Sequence, residues 1–204
     1  MDDRLERRRD MLDPTIEADI HTLAMRYGVP RRIVAPLDGT SFDPIARSDR
    51  YGEVCMVVRR RNGRLITAIK TFYPMGCFRL LTGGVTHGET IEAALQREVE
   101  EETGLQTVIR RFLAVIVYPP QRFATFAFLL DERSGELGLR DPHERIAAFR
   151  EINVAELPIL AATLEAAPDC FDAAIGGNWR EWGRFRAVVH RVVYQTLSDD
   201  EAVL

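Results

Sequence analysis

The sequence predicts an α/β domain in which a mixed β-sheet is covered by helices on both faces. Runs rich in β-branched and aromatic residues, typical of strands, lie on both sides of one strongly helical segment between Thr90 and Gly104. The composition after Ile152 is helical, so further helices follow the strands. With 204 residues, 46% of them hydrophobic, the chain is long enough to bury one substantial core.

Three segments are predicted along the chain. Residues 1–50 form an N-terminal extension with a charged start, a short helix near Ile16 to Tyr27 and an irregular arm interrupted by prolines. Residues 51–152 contain the strands and the central helix, and they are the predicted catalytic core. Residues 153–204 are predicted to form C-terminal helices that pack on this core.

A β-hairpin is predicted at the start of the core. Val54 to Arg59 and Leu65 to Lys70 resemble strands, and Asn62-Gly63 between them suits the positive φ angles of a tight turn. Phe78 to Thr82 is predicted to be another short strand. The glycine-rich stretch after it is predicted to form the turn into the central helix: Gly83, Gly84 and Gly88.

Two strands and two helices are predicted beyond the central helix. Phe112 to Tyr118 and Phe123 to Leu130 are strand-like, and Ser134-Gly135 suits a turn. Helices are predicted near Leu157 to Glu165 and Trp179 to Leu197. The apolar stripe of the last helix is predicted to dock on the core, and a homodimer contact is the alternative.

Composition and charge exclude several functional classes. The formal net charge of −4 lacks the excess of Lys and Arg that duplex binding needs, so no nucleic-acid partner is expected. No apolar run approaches the roughly 18 residues of a spanning helix, and the charged start lacks a signal-like stretch, so no membrane association is expected. Three widely spaced cysteines predict neither a disulfide framework nor a thiolate metal site. We therefore expect a cytoplasmic protein.

Three glutamates converge on one face of the central helix. At about 100° per residue, Glu102 lies about 40° and Glu101 about 60° from Glu98 around the helix axis. The residues of the apolar stripe share this azimuth: Ile91, Leu95 and Val99. Buried carboxylates are costly unless a cation compensates their charge, and the C-terminal end of a helix disfavours anions. An oxygen-preferring ion such as Mg²⁺, which also binds water and substrate phosphates, is therefore predicted here.

An acidic run on a helix is more often a solvated face, but the surrounding spacing favours the metal site. The order is Gly, five residues, Glu, seven residues, Arg-Glu, an aliphatic residue, any residue, Glu-Glu, any residue, Gly, an aliphatic residue. At average residue usage this pattern arises by chance on the order of 10⁻⁷ times per chain of this length. The residues that form it are Gly83, Glu89, Arg97, Glu98, Val99, Glu101, Glu102, Gly104 and Leu105.

This pattern resembles, at every fixed position, the box of the Nudix hydrolase family. The resemblance is carried by the motif over Gly83 to Leu105 and by the strand pattern over about residues 53–152. It implies a Nudix-type α/β/α sandwich and hydrolysis of a nucleoside diphosphate linked to another group. The implied ligands of Mg²⁺ or Mn²⁺ are Glu98, Glu101 and Glu102.

The resemblance also implies supporting roles. Arg97 would hold a neighbouring carboxylate in place, with Glu89 as its ion-pair partner. The backbone carbonyl of Thr82, just before the box glycine, would be a further metal ligand. Glu144, in a polar loop before the next predicted strand, would be an additional base or ligand, and the alternative is an ordinary surface acid.

The substrate is less specified than the reaction. ADP-ribose or a nucleotide sugar is the first candidate, since Pro120 stands about fifteen positions after the box as in ADP-ribose pyrophosphatases, although Pro119-Pro120 equally suits the end of a strand. One alternative is a non-catalytic Nudix-fold nucleotide sensor, which commonly lacks box glutamates that are all present here. A second is a prenyl diphosphate isomerase, which needs a cysteine and a glutamate outside the box.

Overall fold

The computed structural model describes residues 12–37, 42–43, 50–119 and 123–201. Of Asp200 and Glu201 it describes the backbone alone. Two 3₁₀ turns, Pro142–Glu144 and Val154–Glu156, flank the last strand of the main sheet. The helices are α1 (Pro14–Tyr27), α2 (Ile91–Thr103), α3 (Leu157–Glu165) and α4 (Trp179–Glu201). The strands are β1 (Arg31–Val34), β2 (Arg50–Arg59), β3 (Leu65–Lys70), β4 (Arg79–Thr86), β5 (Leu105–Tyr118), β6 (Phe123–Gly135), β7 (Ile146–Ile152), β8 (Phe171–Asp172) and β9 (Gly177–Asn178).

Strands β1 to β7 form one mixed sheet in the order β1-β5-β6-β2-β4-β3-β7. The β1–β5 and β2–β6 pairs are parallel, and the other neighbours are antiparallel. Strands β8 and β9 form a separate two-stranded sheet. Strand β2 lies between β6 and β4, so both of its edges are paired.

Helices cover both faces of the sheet, as the sequence predicts. Side chains of β2 alternate between two cores, so that Val54 and Met56 pack with α1 and α2, whereas Cys55 and Val57 pack with α3 and α4. All four are fully buried. A strand covered on both faces is apolar along its whole length, which explains the unbroken hydrophobic run in this part of the sequence.

The N-terminal segment contributes both a helix and a strand. Helix α1 begins at Pro14, where the Asp13 side chain accepts a hydrogen bond from the Thr15 backbone N–H at 2.9 Å. Strand β1 then pairs in parallel with β5 at the edge of the sheet. The sequence analysis missed β1 because four residues are too few to show a strand period. The division at residues 50 and 152 stays a prediction, and residues 1–11, 38–41 and 44–49 lie outside the described chain.

The predicted hairpin is present but short, and two predicted turns were wrong. Strands β2 and β3 share one pair, Arg59 with Leu65, and then diverge, so the hairpin around Gly63 does not continue as a two-stranded ribbon. Gly83 and Gly84 lie within β4 and pair with β2 instead of forming a turn. Strand β6 also runs on through Ser134-Gly135.

Strand β5 begins well before the predicted Phe112, at Leu105, and β6 ends beyond the predicted Leu130, at Gly135, whereas the C-terminal helices agree better with the prediction. Helix α3 spans the predicted residues, and α4 extends a few residues beyond its predicted end. Strand β5 ends at Tyr118, directly before Pro119, and Pro120 lies outside the described residues. In the part of the chain that the structure describes, no helix is long and apolar enough to cross a membrane.

Candidate active site

Helix α2 is delimited by residues on both of its ends. The Thr90 hydroxyl accepts a hydrogen bond from the Ala93 backbone N–H at 3.2 Å, which satisfies one of the free donors of the first turn. Gly104 ends the helix in the left-handed conformation, with φ of 64°, and its N–H donates to the Glu100 carbonyl. These local signals explain why the helix begins and ends where the sequence predicts.

The helix turns two glutamates toward the protein interior. Glu98 is 6% exposed and Glu102 is 1% exposed, as their azimuth beside the apolar stripe predicts. Strand β4 approaches the helix closely at Gly83, where a Cβ atom would lie 1.9 Å from the Glu98 Cδ atom. The first glycine of the box therefore provides the space that the Glu98 carboxylate occupies.

Arg97 is bonded to four groups of the box. Its guanidinium donates twice to Glu89, through Nε and Nη2, both at 3.0 Å. Nη1 donates to Glu98 at 2.8 Å and to Glu101 at 3.1 Å, and Nη2 also donates to the Gly84 carbonyl at 3.0 Å. This arrangement matches the supporting role expected of Arg97, since the planar guanidinium fixes several acceptors at once.

Glu89 links Arg97 to the loop before the helix. Besides the two bonds from Arg97, its carboxylate accepts hydrogen bonds from the Thr86 backbone N–H at 3.3 Å and hydroxyl at 3.1 Å. The hydrogen bonds from Arg97, the largest cause, and those from Thr86 lower the pKa of Glu89. Glu89 thus links Arg97 to the Thr86 end of the loop.

Glu102 is a buried carboxylate without a hydrogen bond. Neither of its oxygens accepts one from any described residue. Burial raises its pKa to about 8, although the nearby charges of Arg79 and Lys70 oppose this. Burial also raises the pKa of Glu98, and the hydrogen bond from Arg97 opposes that shift. In both carboxyl groups the effect of burial on the pKa outweighs that of the neighbouring positive charges.

Glu144 lies beside Glu102. The Lys70 ammonium is 2.6 Å from the Glu144 carboxylate and 3.6 Å from Oε1 of Glu102, within reach of an ion pair but too far for a hydrogen bond to Glu102. Burial acts to raise the pKa of Glu144, but the hydrogen bond and charge of Lys70 and the contact with Glu102 outweigh it, so the pKa is lowered. We call Glu98, Glu101, Glu102 and Glu144 the carboxylate cluster.

The loop that carries Glu144 is attached to the end of α2. The backbone N–H groups of Arg140 and Asp141 donate to the Glu101 carbonyl, and that of Gly138 donates to the Thr103 carbonyl. The last carbonyls of a helix have no partner within the helix, so the loop satisfies them and is positioned by them. The Thr71 N–H donates to the Arg145 carbonyl at 2.8 Å, which ties the other end of the loop to β3.

Thr82 lies in β4 and is 7% exposed. Its hydroxyl accepts hydrogen bonds from two guanidinium groups, Arg79 Nη1 at 2.9 Å and Arg186 Nη1 at 3.1 Å. Arg186 comes from α4 and forms a buried ion pair with Glu53, at 2.6 Å. The side chain of Thr82 is thus fixed from the opposite side of the sheet, and its carbonyl stays a predicted metal ligand.

Sequence reasoning missed four charged residues around this region. Their contacts join elements that are far apart in the chain, and sequence spacing does not reveal such contacts. Each of these residues nevertheless interrupts an apolar run or is of a type that is rare in this chain. Lys70 carried a usable signal, because it is the single lysine of the sequence. The four residues are Glu53, Lys70, Arg79 and Arg186.

The carboxylate cluster fits a hard divalent cation by its chemistry. All its donors are oxygens, and both oxygens of Glu102 are buried without a hydrogen bond from any described residue. Among the described residues, however, no three His, Cys, Asp or Glu side chains are arranged to hold a metal ion as they stand. Arg97 draws Glu98 and Glu101 to itself, and Lys70 draws Glu144 away, which accounts for this arrangement.

The comparison with known families decides the identity of the fold. The sequence model of the NUDIX domain matches residues 49–173. The chain belongs to the Nudix family. The mixed sheet between two helical layers is thus the Nudix-type α/β/α sandwich that the sequence predicts.

Individual Nudix relatives resemble part of the chain. The NAD-capped RNA hydrolase NudC of Shigella dysenteriae is 36% identical over 109 residues, 52% of this chain and 42% of that protein. The ADP-ribose pyrophosphatase of Methanocaldococcus jannaschii is 35% identical over 109 residues, 52% of this chain and 63% of that protein. A Nudix hydrolase structure from Nitrosomonas europaea matches 70% of this chain and 88% of its own, with 14% identity and a TM-score of 0.45. The matched part thus spans less than two thirds of the curated relatives' length.

Proposed function

We propose that the protein is a divalent-metal-dependent hydrolase that cleaves the diphosphate linkage of a nucleoside diphosphate derivative. The observation that carries this proposal is the carboxylate cluster, in which Glu102 is fully buried with both oxygens unpartnered. A protein stabilises such a group poorly unless a cation accompanies it. Substrate phosphates are the usual additional ligands of Mg²⁺ and Mn²⁺ in such sites.

Each candidate residue has a defined part in this reaction. Glu98, Glu101 and Glu102 would hold Mg²⁺ or Mn²⁺, with the Thr82 carbonyl as a further ligand. The bound ion would neutralise charge on the diphosphate and make an attacking water more acidic. Arg97 and Glu89 keep the ligand carboxylates and the loop in place.

Glu144 is the proposed general base. Its lowered pKa keeps the carboxylate ionised at neutral pH, so it can accept a proton from the attacking water. Its position beside Glu102, held by Lys70 and by the loop on α2, supports this role more than that of a surface acid.

ADP-ribose or a nucleotide sugar is the first candidate substrate, and a similar protein carries the name ADP-ribose pyrophosphatase. NAD and NAD-capped RNA are added as candidates because other relatives are named NAD-capped RNA hydrolases. The expected absence of a nucleic-acid partner therefore stays a prediction without support. A cytoplasmic location and a possible homodimer likewise stay predictions.

Two alternatives are less consistent with the site. A nucleotide sensor does not need the complete set of box glutamates, all of which lie here on or beside α2. A prenyl diphosphate isomerase needs a reactive cysteine, but Cys55 and Cys77 are buried, and burial raises the pKa of both thiols.

The test is Mg²⁺-dependent turnover of a panel: ADP-ribose, nucleotide sugars, NAD, NAD-capped RNA, dinucleoside polyphosphates, nucleoside triphosphates and coenzyme A. Glu102→Gln serves as the control. Hydrolysis of one class of compound, lost in the variant, would support the proposal and name the substrate. Binding of metal and nucleotide without any turnover would favour the sensor.

A further inference from the structure

Lys70 occupies the position between two carboxylates of the cluster. Its ammonium lies 2.6 Å from Glu144 and 3.6 Å from Glu102, and its side chain is 17% exposed. Glu102 accepts no hydrogen bond from the described residues, so this ammonium is the closest positive charge that the ion-pair geometry assigns to it. A divalent ion bound by Glu102 would need the oxygen that this ammonium faces, and its charge would repel the ammonium from Glu144 as well.

The chain uses lysine nowhere else. Lys and Arg together number 27, and Lys70 is the single lysine among them. Every other basic position therefore carries a guanidinium, including the buried Arg79 and the box residue Arg97. An ammonium at this one place indicates a requirement that a guanidinium does not meet.

The two groups differ in how firmly they hold carboxylates. A guanidinium binds a carboxylate through two parallel hydrogen bonds in a rigid plane, whereas an ammonium is a compact charge on a flexible four-carbon stem. An ammonium can therefore leave its carboxylate partner by rotation about the bonds of its stem, and it breaks fewer oriented hydrogen bonds than a guanidinium does. This is the behaviour required of a charge that must give way to another cation.

Arg79 provides the contrast within the same site. It is 4% exposed, and its guanidinium is committed to the Tyr73 hydroxyl at 2.9 Å, the Leu80 carbonyl at 2.8 Å and the Thr82 hydroxyl at 2.9 Å. Its charge also acts on Glu102. Arg79 is therefore a fixed counter-charge of the cluster, whereas Lys70 is partly exposed and able to move.

We propose that Lys70 competes with the divalent metal at Glu102, and that the ion binds only after the ammonium has withdrawn from Glu102 and from the neighbouring Glu144. The inference rests on the proposed function, since it requires that the ion binds at the carboxylate cluster. Lys70 would then set the metal affinity of the site. It would also keep the two acids from repelling each other before the ion arrives.

The first test measures Mn²⁺ binding directly, by electron paramagnetic resonance of the free ion, without substrate. In Lys70→Met the dissociation constant is expected to fall by about tenfold or more, because a unit charge a few ångströms from the ion is removed. In Lys70→Arg it is expected to rise, since the guanidinium holds its partners more firmly. Arg110→Met, at a mostly exposed position with a 3.9 Å ion pair to Asp131, is the matched control and should not change it.

The second test uses the wild-type chain and is independent of how the variants fold. Lysine labelled with ¹³C at Cε gives one side-chain resonance, because the sequence contains one lysine. Titration with Mg²⁺ should move this resonance toward the position of a solvent-exposed lysine, with the same midpoint as metal binding. A resonance that stays in place at saturating Mg²⁺ would overturn the proposal.

The outcomes separate this inference from the function on which it rests. Opposite shifts of Mn²⁺ affinity in the two Lys70 variants, together with a moving resonance, would support competition. Equal affinity in wild type and both variants would overturn the role of Lys70 and leave the metal site intact. No Mn²⁺ binding to the wild-type protein would overturn both.

Discussion

Gly83 lies against Glu98 so closely that a Cβ atom on residue 83 would stand 1.9 Å from the Cδ atom of the carboxylate. The conflict involves the reactive end of a proposed metal ligand. Glu98 is also held by Arg97 at 2.8 Å, so it cannot move away without breaking that bond. The two residues are therefore a matched pair, in which the absent side chain of one makes room for the charge of the other.

Gly83→Ala should reduce turnover strongly while leaving a folded protein. The methyl group displaces Glu98 by on the order of an ångström, and a misplacement of that size can cost about 10²-fold in rate. The measurements are kcat/KM and the Mn²⁺ dissociation constant. Gly138→Ala is the control, because a Cβ atom there meets nothing within 4 Å. Full activity in Gly83→Ala would show that Glu98 has freedom that the packing does not suggest.

Glu102→Gln should abolish turnover and stabilise the fold in the presence of a chelator. A carboxyl whose pKa is raised by folding contributes stability at low pH, which is lost as the pH rises from its ordinary value of 4.5 to about 8. The variant has no such carboxyl group and avoids that loss. Its free energy of unfolding should exceed that of the wild type by under about 1 kcal/mol near pH 5 and by on the order of 2–4 kcal/mol near pH 8. Urea unfolding at both pH values measures it.

Glu100→Gln is the matched control for that experiment. Glu100 lies on the same turn of α2 but is exposed, so its substitution should change neither turnover nor the pH dependence of unfolding. If Glu102→Gln were less stable than wild type at both pH values, the buried carboxylate would have a partner that the structure does not show.

Glu144→Gln should lower kcat by about 10²-fold or more and flatten the acid side of the pH profile, as expected for loss of a general base. In the wild-type enzyme this limb should lie below the ordinary pKa of a glutamate, because a cation beside Glu144, Lys70 before the metal binds and the divalent ion afterwards, favours the ionised carboxylate. The measurement is kcat against pH with saturating Mg²⁺. Glu136 is an exposed acid in the same loop, so Glu136→Gln is the control and should behave as wild type. Wild-type behaviour of Glu144→Gln would show that Glu144 is only a surface acid.

His190→Gln should weaken the acid sensitivity of the fold. His190 is buried in α4, where Nε2 accepts from the Leu80 N–H at 3.0 Å and Nδ1 bonds to the Arg186 carbonyl at 2.8 Å, so the ring is neutral. Burial lowers its pKa from 6.5 to about 4. As the pH falls, the unfolded chain therefore binds a proton at this residue before the folded protein does. The free energy of unfolding decreases by about 2 kcal/mol between about pH 7 and pH 5 for this reason. Urea unfolding should show a smaller decrease in the free energy of unfolding over this pH range in the variant than in the wild type.

The parts of the site that sequence reasoning predicted depend on local rules. The limits of α2 follow from Thr90 and Gly104, and the burial of Glu98 and Glu102 follows from the helical period. Both depend on residues within a few turns of one another. Spacing alone was therefore sufficient to place Glu98 and Glu102 on the buried face of α2.

The parts that sequence reasoning missed depend on distant pairing. Asn62-Gly63 indicates a turn, but it does not determine that β2 then leaves β3 to pair with β4 and β6. A Gly-Gly pair suggests a turn when nothing else is known, whereas Gly83 is here a strand residue that admits a side chain from α2. Arg186 and Thr82 are 104 positions apart in the sequence, and no local pattern predicts the hydrogen bond between them.

The presence of one lysine has a practical consequence for handling the protein. Reagents that acylate or alkylate amines will modify, besides the α-amino group, one side chain within these 204 residues, and it lies against Glu144. Immobilising or dye-labelling the chain through the amine of a side chain would therefore place the label in the candidate active site. The exposed thiol of Cys170 offers the alternative point of attachment, because Cys55 and Cys77 are buried.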